Sequence, residues 1–154
     1  MCVYDKLKSL GITLPTAPPK GGVYVPVREF GNSLVYVSGN GPDINGEPYK
    51  RGKLGKELTL EEGKEAARLC ALNILASLHS QIGDLNRIKS FVKVLGLVAS
   101  TDEFFEQPQV MNGATELFEA VFGSEVGLAA RSAIGTNVLP GNIPVEVELL
   151  LELK

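Results

Sequence analysis

The chain has 154 residues, the length of one ordinary domain, and its 44% hydrophobic and 21% charged side chains exclude a disordered tract. A formal charge of −3 lacks the basic profile of a dedicated nucleic-acid binder. Residues 1–8 lack the apolar segment of a secretory signal, and no apolar run reaches a membrane-spanning length of ~18 residues. Cys2, Cys70 and the single His79 are too few for a disulfide framework or a zinc site, so a cytoplasmic location without a metal is expected.

In chain order, Asp5 to Leu10 reads as a short amphipathic helix stopped at Gly11. Pro15, Pro18 and Pro19 with Gly21 and Gly22 then impose an irregular lead-in. Residues 1–20 therefore form a leader, and residues 20–154 a single domain. Val23 to Glu29 and Leu34 to Ser38 are β-branched and aromatic, with Gly31-Asn32 as the hairpin signal between them. Pro26 confines the first of these strands to an edge or a bulge. A polar, glycine-rich loop follows to Glu57 and carries Lys50, Arg51, Lys53 and Lys56.

Thr59 with Glu62 forms a capping-box pattern, opening a helix that runs to about Gln81 and stops at Gly83. Ala67, Cys70, Ala71, Ile74, Leu75 and Leu78 recur on its buried stripe. His79, near its C-terminus, reads as a surface residue favoured by the helix dipole. Ile88 to Ala99 is the longest β-like run, with Gly96 marking a bulge or a close approach. A second helix spans about Gln109 to Phe122, and Ala129 to Gly135 is a further strand. The last strand, Val145 to Leu153, is aliphatic at every odd position and glutamate at the even ones apart from Leu150. Period two puts the odd face on the helices and turns the even face the other way. The order ββ, α, β, α, ββ fits an α+β sandwich with one sheet face open to a partner.

The segment Ala129-Ala130-Arg131-Ser132-Ala133, then Leu139-Pro140, then Val145-Glu146-Val147-Glu148 resembles the C-terminal signature of the Rid/YjgF family of reactive-intermediate deaminases, also labelled endoribonuclease L-PSP. Gly22-Val23-Tyr24-Val25 and Val35-Tyr36-Val37-Ser38-Gly39-Asn40 resemble its first two strands. The resemblance covers residues 20–154. It implies a chorismate-mutase-like fold, a mostly antiparallel sheet with two helices on one face, assembled as a trimeric barrel. It also implies hydrolysis of 2-imino or enamine acids to 2-keto acids and ammonia at a pocket between subunits, with no cofactor. Arg131 matches the residue gripping the substrate carboxylate, and a guanidinium suits that role by its bidentate geometry. Glu146 matches the catalytic carboxylate that orients or deprotonates water. Tyr24, Ser38 and the backbone at Ala133 match substrate-contacting positions.

Departures mark a divergent branch. The leader and the long 41–57 segment are extra, Ala133 stands where many relatives have cysteine, and Val138 where some have a basic residue. Two other readings stay open at this stage. One is cleavage of single-stranded RNA, with the 50–56 basic cluster neutralising phosphates, against the simpler reading of a solvated loop. The other is a non-catalytic trimeric module binding a small carboxylate. Arg131 could instead pair with Glu146 or Glu148 at a subunit interface, and Glu148 reads more simply as a solvated or interfacial residue.

Overall fold

A computed structural model describes all residues, Met1–Lys154. Its central sheet is built from β1 (Val27–Phe30), β2 (Leu34–Asn40), β5 (Ile88–Ala99), β6 (Ala130–Thr136) and β7 (Val145–Leu153), in the spatial order β1-β2-β7-β5-β6. The pairings β1–β2, β2–β7 and β5–β7 are antiparallel, whereas β5–β6 is parallel. The parallel pair follows from its connection, since α3 (Gln107–Phe122) and the single turn α4 (Ser124–Gly127) carry the chain back across the sheet. The sheet is thus mixed, with the antiparallel pairings in the majority.

The long α2 (Leu60–Ile82) and α3 cover one face of the sheet. The Thr59 hydroxyl accepts from the Glu62 N–H at 3.2 Å, and the Glu62 carboxylate accepts from the Thr59 N–H at 2.8 Å, closing the capping box. Gly83 ends the helix in the left-handed region, at φ 81°. The odd positions of β7, Val145 to Leu153, are all buried against these helices with Val35, Val37, Val94 and Val98. Of the two readings of Gly96, a bulge or a close approach, the structure has the close approach: a Cβ there would strike the side chain of Met111 on α3. No helix is long and apolar enough to cross a membrane.

Two expectations need correction. The first strand starts at Val27 rather than Val23, because Pro26 has no N–H and the residues before it bend; only the Pro26 carbonyl joins the ladder, accepting from Ser38 N–H at 2.9 Å. The 41–57 loop is also not devoid of structure. It holds a miniature hairpin, β3 (Asp43–Ile44) and β4 (Glu47–Pro48), turned by Asn45 and Gly46, both at positive φ. Buried Asn73 of α2 fastens this segment, its amide donating to the carbonyls of Gly41 (2.9 Å) and Asp43 (3.0 Å).

The leader helix α1 (Val3–Ser9) begins two residues earlier than its periodicity indicates. Tyr4 docks it: the hydroxyl accepts from the Leu85 N–H at 2.9 Å and bonds His79 Nδ1 at 3.0 Å.

Candidate active site

The sheet face opposite the helices carries Glu146, Glu148, Leu150 and Glu152, as the period of β7 requires. A cleft of about 790 Å³ opens on this face where the β2–β7 register shifts between Val37 and Asn40. Pro18 to Gly21 of the leader form one wall and Pro140, Gly141 and Ile143 another. Glu146 lies between them, half-buried, with its carboxyl lying over Gly39 so closely that any Cβ at that position would collide with it. Burial first, and the negative charge of Glu148 second, raise the Glu146 pKa above the ordinary carboxylate value. No protein group donates a hydrogen bond to Glu146, so its oxygens are available to a ligand or to water.

Glu148 is differently placed. Its Oε2 accepts a hydrogen bond from the Tyr36 hydroxyl at 2.8 Å, reaching diagonally across the β2–β7 pair. That bond, and then burial, raise the Tyr36 pKa. Ser38 also lines the cleft, but its hydroxyl donates to the Val25 carbonyl at 2.7 Å and so ties β2 to the segment just before β1. The Tyr24 hydroxyl accepts from the Gly21 N–H at 2.9 Å, holding the wall in its bend.

Arg131 is not in this cleft. In the parallel β5–β6 pair it aligns with buried Val94, and Ala133 with Gly96, so both point to the helix side at the free edge of the sheet. Glu146 aligns with Leu97 on the open face. Within the chain the structure therefore brings Tyr24, Ser38 and Glu146 together and leaves Arg131 and Ala133 on the opposite face. The cause is strand parity: Arg131 aligns with residue 94 of β5 and Glu146 with residue 97, an odd separation that presents opposite faces, and no side chain reaches around the intervening strand β5. Arg131 joins none of the ion pairs in the chain, which leaves it unpaired with Glu146 or Glu148. Its Nη1 donates instead to Asn112 Oδ1 (2.8 Å) and Thr115 Oγ1 (3.2 Å) on α3.

The sequence reading missed Tyr36 and Asp43 of the cleft, and it treated Glu148 as a bystander. The signal for Tyr36 was available, since it alternates with buried Val35 and Val37 and shares the open face with the glutamates. Within the basic loop, Lys50 pairs with Glu62 (2.9 Å), Arg51 with Glu47 (3.6 Å) and Lys56 with Glu57 (3.7 Å). Most of its charge is answered locally, as a solvated loop requires.

Residues 5–153 match the protein family described as "YjgF/chorismate_mutase-like, putative endoribonuclease". The chain is 43% identical over 151 residues to Protein TCP17 of Trypanosoma cruzi, covering 98% of this chain and 94% of that one. Among solved structures it resembles a Shewanella oneidensis protein given the same endoribonuclease label, with TM-score 0.94 and 31% identity over 99% of this chain and 100% of that one. It also resembles Atu1372 of Agrobacterium tumefaciens, a protein of unknown function, with TM-score 0.90 and 40% identity over 99% of this chain and 92% of that one.

Proposed function

The chain belongs to the YjgF/chorismate mutase-like family, and from that premise we propose that it hydrolyses 2-imino acids, the tautomers of reactive enamines, to 2-keto acids and ammonia. The observation that carries the reading is Glu146, a half-buried carboxyl without a protein donor, facing a cleft large enough for a small acid. Such a group takes a proton from a water at hydrogen-bond distance as that water attacks the imine carbon. It returns the proton to the nitrogen of the resulting carbinolamine. The carbinolamine hydroxyl proton then passes to the nitrogen, the C–N bond breaks, ammonia leaves and the oxygen becomes that of the ketone. Because enamines and imines hydrolyse slowly unaided, holding the carboxylate and one water is enough to accelerate them.

Arg131 supplies the carboxylate grip. Since it and Glu146 lie on opposite faces of one sheet, the complete pocket in this proposal takes Arg131 from one copy and Glu146 from a neighbouring copy in a homotrimer. The open face supports such packing, with Leu95, Leu97 and Leu150 incompletely covered and Ile134 50% exposed. The Tyr24 hydroxyl and the Ser38 side chain then shape the wall beside the imine, and the Ala133 backbone lies on the Arg131 side.

The test couples the protein to a dehydratase that generates a 2-aminoacrylate-type enamine and follows keto-acid release. Acceleration is expected, lost in Arg131→Ala, Arg131→Lys and Glu146→Gln. Unchanged kinetics across a panel of imino acids would overturn the reading, and a monomeric mass by light scattering would overturn the shared pocket.

A further inference from the structure

The immediate surroundings of Arg131 hold its guanidinium through neutral partners and without an ion pair. Asn112 and Thr115 stand one turn apart on α3, so their side chains share a face. Both hydrogens of Nη1 are taken, by Asn112 Oδ1 at 2.8 Å and by Thr115 Oγ1 at 3.2 Å. Thr115 leans its own hydroxyl hydrogen toward the Met111 carbonyl at 3.4 Å, which turns its lone pairs to the arginine. The guanidinium plane is thereby locked, and the Nε–Nη2 edge is the one left to make a two-point contact with a carboxylate. Arg131 sits on β6, the outermost strand, whose other edge has no partner in the chain, so that contact lies where a ligand or neighbouring subunit can reach it.

We propose that Asn112 and Thr115 are positioning residues for Arg131, a neutral cradle that fixes the guanidinium plane and leaves its full charge for the carboxylate of the substrate. The inference rests on the reading of Arg131 as the carboxylate grip. A carboxylate in place of Asn112 would hold Nη1 equally well but would cancel the charge and repel an incoming anion. Neutrality of the two partners is therefore the feature under test, and it separates a binding role from mere structural support.

The experiment titrates the full-length protein with 2-oxobutanoate by calorimetry and records melting temperatures for each variant. Arg131→Ala is expected to abolish binding. Asn112→Asp, which preserves size and the hydrogen-bond acceptor, is expected to weaken binding about tenfold or more while leaving the melting temperature equal or higher. Thr115→Val, losing one of two bonds and no charge, is expected to weaken binding a few-fold. Wild-type affinity in Asn112→Asp, alongside lost binding in Arg131→Ala, overturns the cradle and leaves the grip intact. Wild-type affinity in Arg131→Ala overturns both. If the binding losses appear as stated but the wild-type protein turns over no imino acid, the cradle stands and the hydrolase reading falls.

Discussion

Gly39→Ala isolates the contribution of Glu146 placement. An ideal Cβ on Gly39 overlaps Glu146 Oε1 and lies 2.8 Å from its Cδ and 3.0 Å from its Cγ. Ordinary carbon–carbon contact is about 3.5–4.0 Å, and the oxygen overlap is deeper still, so the carboxyl must retreat by at least about 1 Å. Gly39 is not at positive φ, so alanine fits the backbone there and the strain falls on the Glu146 side chain alone. An off-rotamer glutamate costs about 0.5–1.5 kcal/mol, a fall of a few degrees in melting temperature. A 1 Å error in a catalytic group costs about 10²-fold in rate. The expected result is a protein that melts within a few degrees of wild type and retains about one-hundredth of its keto-acid release. As an independent readout, the Glu146 carboxyl, assigned in ¹³C NMR by its loss in Glu146→Gln, should titrate at lower pH once pushed toward solvent. Full activity with an unmoved Glu146 midpoint would refute the reasoning.

Three further outcomes follow from local geometry. Burial and Glu148 raise the Glu146 pKa, so the native state holds a proton that the unfolded chain has released between the ordinary carboxylate range and the raised value. Stability should fall as pH rises through that window, and Glu146→Gln should melt higher than wild type at neutral pH, with the difference narrowing in acid. Thr59→Ala removes half of the capping box and should cost about 1 kcal/mol, read as a melting-temperature drop of about 2–4 °C. Tyr4→Phe leaves the buried Leu85 N–H without its acceptor and should cost about 1–3 kcal/mol. Hydrogen exchange should show α1 opening in that variant before the sheet does.

Much of this molecule was legible along the chain because local chemistry decides it. The Thr59–Glu62 box, the stop at Gly83 and the alternation of β7 are written in neighbouring residues, and the observed elements follow them. Gly96 in its β-branched run reads as a bulge or a close approach, and Met111 fills the space as the second of these requires. Where expectation and structure part, a local signal had been outweighed. Pro26 stopped a strand that β propensity extended to Val23, and Asn45-Gly46 turned a hairpin inside what composition alone presents as loop.

The site divides along the same line. The resemblance of the 129–148 segment to the Rid/YjgF signature singles out Arg131 and Glu146, and the alternation of β7 places Glu146 on the open face. Which face Arg131 takes depends on the parallel alignment of β6 with β5, in which residue 131 meets residue 94, and no local pattern specifies that register. The same holds for the Asn112–Thr115 cradle, the Tyr36–Glu148 bond and the raised pKa of Glu146, all of which join groups distant along the chain. Sequence by itself determined the elements and their buried faces, since those depend on neighbours a few residues away. Tertiary structure alone decided that the chain presents the Glu146 carboxylate and the Arg131 guanidinium on opposite faces of its sheet, because strand order and register arise from packing the whole core.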